Sequence, residues 1–275
     1  MAWSNDRNLP PLDFWPTTLK WQATTLLTIL YTGSAVGILA LWLKAGSDGQ
    51  YRLSSENVRM ISRYFPSALG TVNVVLFRQV VREFIRMKPF VAMADQGGKT
   101  RSGALPWKSV SGAFFPWQDV SITPGASSFF SLFCQFAASF IVSLKVALLA
   151  SDETDTGWIL TVRFWPAFFL IIGHVVMAVY ILWVAWVHRG KSTGLRWDPI
   201  TIADYCSLFA QCNVAGYFAP LELQHDMSAK KLMSEDHRFR LGYWEKEVPG
   251  SPQPKIVYGI GTTWDAEGIS AKLLV

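Results

Sequence analysis

From Trp21 to Leu43 the chain runs for 23 residues without a formal charge, and Lys20 and Lys44 close the stretch. As a helix rising ~1.5 Å per residue it reaches about 35 Å, enough to cross a hydrocarbon core of roughly 30 Å with some tilt. Lipid offers backbone N–H and C=O groups no partner, so such a run has to be a helix. Three later stretches repeat the pattern: Tyr64 to Phe77 between Arg63 and Arg78, Val120 to Leu144, which Lys145 interrupts before Val146 to Ala150 resumes it, and Phe164 to Val187. The second is the weakest, about 21 Å of uncharged helix. It relies on Arg63 and Arg78 snorkelling along their aliphatic stems, with Val80, Val81, Phe84 and Ile85 extending its apolar face.

Composition agrees with a membrane location. With 51% hydrophobic and 16% charged residues the chain is too apolar for an ordinary soluble domain. Its mean hydropathy of only +0.23 averages the apolar runs with polar connections. Pro10, Pro11 and Pro16 precede the first run and no small-residue cleavage site follows a short apolar core, so no cleaved signal peptide is expected and the first span does the targeting. Cys134 falls inside an apolar run, while Cys206 and Cys212 lie six apart, so no disulfide framework is predicted. No Asn-x-Ser/Thr sequon occurs. The net charge of +5 comes from basic residues flanking apolar runs, which points to the bilayer and away from nucleic acid as a partner.

Tryptophans mark the expected interfaces: Trp21 and Trp42 around the first run, Trp158 and Trp165 before the fourth, Trp183 and Trp186 at its end. Alternate non-span segments hold 19 Lys and Arg against 6 in the other two. The positive-inside rule then puts both termini and the middle segment in the cytoplasm. The predicted fold class is an all-α integral membrane helical bundle, four transmembrane helices in two repeated hairpins with cytoplasmic amphipathic helices.

The repeat rests on Arg63-Tyr64-Phe65-Pro66 and, one hundred residues on, Arg163-Phe164-Trp165-Pro166. Each sets a basic residue, two aromatics and a proline suited to a first helical turn at the start of a span. The connections Lys44-Ala45-Gly46-Ser47-Asp48 and Leu149-Ala150-Ser151-Asp152 agree loosely. The expected organisation is a cytoplasmic N-terminus over 1–19, a first two-span unit with an amphipathic extension over 20–103, a second with a cytoplasmic helical segment over 104–248, and a tail over 249–275.

Arg78, Arg82 and Arg86 recur at i, i+4 and i+8 beside Glu83, opposite Val81, Phe84 and Ile85, which predicts a helix lying on an anionic membrane surface. Gly97, Gly98 and Gly103 mark a loop, and Trp107, Phe114, Phe115, Pro116 and Trp117 an interfacial stretch. Asp198 and Pro199 form an N-cap and N1 pair for a helix through about Cys212, with Ile202, Tyr205, Cys206, Phe209 and Cys212 on its apolar face. Pro249, Pro252 and Pro254 mark a linker before the tail from Lys255 to Val275.

Gly194-Leu195-Arg196-Trp197-Asp198-Pro199 followed by Ile202-Ala203-Asp204, with Arg240-Leu241-Gly242-Tyr243-Trp244 and Lys88-Pro89-Phe90, resembles a family of fungal multi-pass membrane proteins defined only as a domain of unknown function. The resemblance runs from about Trp15 to Glu245. It implies a fungal plasma membrane or endomembrane, and tandem copies of the membrane unit in longer members; it carries no activity, cofactor or catalytic residue. Against those members this chain reads as a compact member or a partial gene product.

Among motifs, Gly190-Lys191-Ser192 fails as a phosphate loop, since Ala185 stands where a glycine is needed and a membrane helix precedes it. His174 lies near the middle of the fourth run, and Thr28, Asn73 and Gln135 lie at similar depth in the other three. These four either line a solute or proton path or hydrogen-bond one another between helices, and the second reading is preferred. Gly33 and Gly37 form a Gly-x-x-x-Gly pair beside Ser34 and the Thr24, Thr28, Thr32 stripe, suited to close helix approach within the bundle or between subunits of a homo-oligomer. His225, Asp226 and His237 have no metal-ligand spacing, and no catalytic elbow or metalloprotease helix occurs. The expected function is non-catalytic, a structural or interaction role in a membrane without cofactor or metal, its partners being the bilayer, anionic headgroups and other membrane proteins. The alternative is a small transporter or channel.

Overall fold

In a computed structural model the described residues are 9–45, 50–53, 56–94, 99–100, 126–154, 157–210, 238–246, 255–262 and 272–273. Helix accounts for 69% of the interpretable residues, so the chain is mostly helical, but two antiparallel sheets qualify the all-α expectation. The helices are α1 (Trp21–Lys44), α2 (Glu56–Ala94), α3 (Ala126–Ser139), α4 (Ile141–Leu148), α5 (Phe164–His188) and α6 (Ile202–Ala210). The strands are β1 (Gln50–Leu53), β2 (Lys99–Thr100), β3 (Leu149–Thr154), β4 (Gly157–Val162), β5 (Arg238–Lys246), β6 (Lys255–Thr262) and β7 (Lys272–Leu273).

The chain divides into two compact units. A helical unit takes Thr17–Phe84 and Ser111–Arg189, and a sheet-bearing unit takes Met1–Pro16, Ile85–Val110 and Gly190–Val275.

In the helical unit α1 packs along α5. Both are long and apolar enough to cross a membrane, and they start where the charge-free runs start. Only 22% of the α1 window and 50% of the α5 window is buried. What they expose is largely apolar: Leu26, Ile29 and Val36 on α1, Phe168, Phe169, Val175 and Leu182 on α5, with Gln22, Thr25 and Thr32 as polar exceptions on α1. A water-soluble surface rarely carries such continuous apolar area. Trp21, Trp165 and Trp186 are exposed at or near the helix ends, as an interfacial belt requires.

The other two predicted spans look different. α2 is one helix of 39 residues, and its apolar run is flanked by arginines, so it falls short of the measure that α1 and α5 meet. Arg63 and Pro66 lie inside it and do not open it, whereas Arg163 is the N-cap of α5 and Pro166 sits in its first turn. The repeat therefore does not extend to local geometry at the first site, because α2 starts eight residues earlier than the motif suggests. The third run is cut at Phe140. There the Phe140 N–H bonds to Ala137 O at 3.2 Å and the Ser139 hydroxyl donates to Gln135 O at 3.0 Å, a side-chain back-bond that bends helices. The run ends at Leu148 and does not resume as helix, since Leu149 and Ala150 already belong to β3.

That strand belongs to a sheet of order β1-β4-β3. β3 and β4 pair from Leu149↔Val162 to Thr154↔Gly157, two residues apart in sequence, the spacing of a tight hairpin. β1 joins through Tyr51↔Leu160 and its neighbours. The Tyr51 hydroxyl donates to Leu41 O on α1 at 2.8 Å, and Arg163 N–H to Leu148 O at 2.9 Å, so the connection after α1 and the one before α5 meet in one small sheet.

The sheet-bearing unit is built on β5 and β6, paired from Phe239↔Thr262 to Lys246↔Lys255, with β2 and β7 adding short pairings to β5. Thus part of the predicted tail forms strands of this sheet, β6 and β7, both paired to β5. Gly259 and Gly261 leave a side-chain-free lane for the Trp244 indole, whose Nε1–H donates to Gly259 O at 3.0 Å; a Cβ on Gly261 would come within 2.6 Å of the ring. Gly194, at φ +69, brings the chain against Ala94 and Leu241, closer than a side chain allows. The Tyr258 hydroxyl bridges Gly194 O at 2.8 Å and Arg196 N at 3.2 Å. Phe14 N donates to Leu195 O and the Tyr243 hydroxyl to Pro10 O, which seats residues 10–14 in the unit.

The predicted helix after Pro199 begins later, at Ile202. Thr201 caps it: the Asp204 N–H donates to Thr201 Oγ1 at 3.2 Å and the Thr201 N–H to Asp204 Oδ2 at 2.8 Å, a reciprocal capping box. Asp198 instead pairs with Arg86 at 2.7 Å. The stretch from Trp107 to Trp117, Cys212, the 225–237 segment and the proline linker lie outside the described residues.

Candidate functional site

The helical unit buries a polar cluster. Asn73 on α2 and His174 on α5 are both 0% exposed, and their Nδ2 and Nε2 atoms stand 3.2 Å apart. His174 Nδ1 is 2.7 Å from Leu170 O, which can only accept, so the imidazole carries its proton on Nδ1. In the neutral ring Nε2 is then an acceptor, and Asn73 has to present its NH2 to it. The same NH2 lies 3.4 Å from Ser34 Oγ on α1. The Tyr31 hydroxyl, also on α1, donates to Asn73 O at 2.8 Å. Three helices are thereby joined at one depth by groups that have no water to turn to.

Around this cluster lies an aromatic core. Phe77 meets Tyr31 edge-on at 6.3 Å and Tyr180 at 5.4 Å, while Phe84 and Phe130 pack on Tyr180 and Trp183. Ser131 Oγ and Tyr180 Oη share a hydrogen bond at 2.9 Å. Buried Tyr hydroxyls find partners because leaving one unsatisfied costs about 1–3 kcal/mol.

Of the four residues placed at mid-depth by sequence, the structure brings together Asn73 and His174. Thr28 stands apart, donating to Thr24 O one turn back on its own helix at 2.8 Å. Gln135 takes part only through its carbonyl, which accepts from Ser139. Helix phase explains this: depth along a span says nothing of the face a residue occupies. Ser34 and Tyr31 occupy the right face and complete the cluster. Lys145, the charge that interrupts the third apolar run, is 3% exposed within α4. Its Cδ lies where a Cβ on Gly70, one turn before Asn73, would sit, 2.9 Å away.

Gly33 and Gly37 do not serve close packing within the bundle; a Cβ on either would meet nothing within 4 Å. The arginine row is divided as well. Arg78 is exposed and donates to Ser139 Oγ at 3.1 Å, Arg82 is exposed, and Arg86 is engaged by Asp198 and by Pro199 O at 3.4 Å. The separate surface helix expected there is instead the continuation of α2 to Ala94.

The segments that carry the family resemblance, Lys88–Phe90, Gly194–Asp204 and Arg240–Trp244, all fall in the sheet-bearing unit. Phe90 stacks on Tyr205 at 6.2 Å, and Gly194 faces Leu241. Their roles visible here are packing roles. Among the described residues no group of three His, Cys, Asp or Glu could hold a metal ion. No family model, no curated protein and no solved structure matches the chain.

Proposed function

We propose that this chain is a multi-pass membrane protein with a structural or interaction role and no catalytic chemistry, its four spans arranged as two hairpins with both termini and the middle segment in the cytoplasm. The observation that carries the reading is the closed pairing of Asn73 with His174 at 0% exposure. A transport path needs such groups wetted on one side; here the His174 ring and the Asn73 amide NH2 and backbone carbonyl spend their hydrogen bonds on one another and on Leu170, Ser34 and Tyr31. The sheet of β1, β4 and β3 supports the hairpin arrangement, because it joins the two short connections that charge counting puts on the same side. Arg78 and Arg82, both exposed, suit anionic headgroups at the other end of the span. The fungal setting follows from the family resemblance alone.

The test of the role is reconstitution. Purified wild-type protein in liposomes is expected to leave solute and proton permeability unchanged, and His174→Ala to lower thermal stability without touching permeability. A leak specific to the wild type and lost in His174→Ala would establish the transporter reading instead. Topology is read from Cys206, which is exposed, with Cys212→Ala as background. A membrane-impermeant maleimide is expected to label it in inverted vesicles and not in intact cells; labelling from outside reverses the orientation.

A further inference from the structure

Lys145 combines burial with isolation. Its side chain is 3% exposed and its Nζ has no hydrogen-bond partner among the described residues. No Asp or Glu occurs in any of the four apolar runs, so the core offers no carboxylate from within the spans. Helical side chains lean toward the N-terminus of their own helix, which carries the ammonium away from the β3 end of α4 and into the bundle. Its stem occupies the room that Gly70 leaves by lacking a Cβ.

A second orphan lies one turn from Gly70. Asn73 Oδ1 is buried without a partner among the described residues, because the tautomer of His174 draws the amide NH2 to the other side. A lone cationic donor and a lone acceptor therefore sit on contacting elements of the same unit. Leaving both unmet is expensive in a low-dielectric interior.

The geometry points to a small-anion site in the helical unit, framed by Lys145, Gly70 and Asn73, that takes an oxyanion of the carboxylate or hydrogencarbonate class. Its negative oxygens accept from the Lys145 ammonium and neutralise it. An O–H on the anion donates to Asn73 Oδ1, which ranks hydrogencarbonate above formate. Chloride answers the charge and leaves the Asn73 oxygen unmet, so it ranks last. The site is independent of the orientation proposed above, and it leaves the Asn73–His174 pairing in place because it uses the other atom of the Asn73 amide.

The experiment is thermal unfolding of the full chain in lipid nanodiscs, titrated with sodium hydrogencarbonate, formate or chloride against gluconate at constant ionic strength. Wild type is expected to show a saturable rise of the midpoint by a few degrees in hydrogencarbonate, less in formate and least in chloride. Lys145→Met, which keeps the stem and removes the charge, is expected to be at least as stable in gluconate and to lose the anion response. Gly70→Ala pushes the stem aside and is expected to raise the half-saturating concentration roughly tenfold, the equivalent of about one hydrogen bond, so it carries the test even if Lys145→Met does not fold. The proposal is overturned if wild type shows no saturable anion-specific rise, or if Lys145→Met responds as strongly as wild type. A chloride response as large as that of hydrogencarbonate overturns the oxyanion assignment.

Discussion

In the helical unit Leu26, Ile29, Phe168, Val175 and Leu182 face outward while Asn73, Lys145 and His174 sit inside. In the sheet-bearing unit Leu195, Phe239, Leu241 and Ile260 are buried, and Arg196 and Ser207 are exposed. The two patterns suit different solvents, lipid for the first on the reading proposed above and water for the second. Where the surroundings are lipid, apolar exteriors cost nothing and the scarce polar groups have to find each other. Where they are water, burial of apolar area drives packing and polar groups move out. The contrast also teaches where glycine is needed: Gly261 and Gly194 are held by close neighbours in the sheet-bearing unit, while Gly33 and Gly37 touch nothing.

The largest expected effect comes from charging the outer faces. Val175→Arg puts a cation near the middle of α5 and is expected to cost about 3 kcal/mol of insertion, whereas Ser207→Arg on α6 stays within about 0.5 kcal/mol. The fraction resisting alkaline extraction from membranes measures the first, chemical denaturation the second. Equal tolerance at both positions would falsify the two-solvent contrast.

Glycine substitutions come next. Gly261→Ala drives a methyl into Trp244 and is expected to destabilise by about 1–3 kcal/mol, while Gly33→Ala has open space and a better helix former, giving no loss or a gain of up to about 1 kcal/mol. Thermal melts of the two variants compare them directly; a loss at Gly33 as large as at Gly261 would show that α1 has a close partner after all. A smaller effect separates Asn73 from His174. A double-mutant cycle to Ala is expected to give a coupling of roughly 0.6–1.7 kcal/mol, and a zero coupling would remove the clamp from the helical unit.

The smallest effect belongs to Asp204. The Thr201 backbone N–H, aided by the Thr201 hydroxyl and the Ile200 N–H, holds its carboxyl below the ordinary carboxylate range. A lowered folded-state value means that the cap contributes above the ordinary pKa and is lost as pH falls through the folded one. Amide exchange along Ile202–Ala210 is therefore expected to be steady near neutrality and to quicken below about pH 4, with Asp204→Asn fast throughout. Exchange independent of pH after correction for its intrinsic rate would sink the role of the cap.

The helical unit was far more legible in the sequence than its partner. α1 and α5 start at Trp21 and Phe164 as the charge-free runs predict, because exclusion of charge from lipid leaves a mark on every residue of a span. The phase of those helices leaves a weaker mark, so Tyr31 gives no signal, Ser34 reads only as part of the Gly33 and Gly37 face, and Thr28 and Gln135 are expected beside His174. Lys145 was misplaced because a charge in an apolar run reads as its end. The strands escaped notice for another reason. β5 carries Gly242 within an aromatic stretch and β6 carries Gly259 and Gly261, residues that weaken any strand signal, and Gly261 makes room for the Trp244 indole. Asp198 followed by Pro199 imitates a helix start, but the Arg86 guanidinium claims the carboxylate and Thr201 takes over the cap.

The pairing of β1 with β4 sets a timetable for the chain during its synthesis. Tyr51 meets Leu160, more than a hundred residues later, so Gln50–Leu53 leaves the ribosome long before its partner exists. At about 5–20 residues per second the gap is roughly 5–20 s. Over that interval α1 and α2 are held by their own contacts alone. The three-stranded sheet closes only after β4 has been made, and it acts as a late latch between the segment after α1 and the segment before α5.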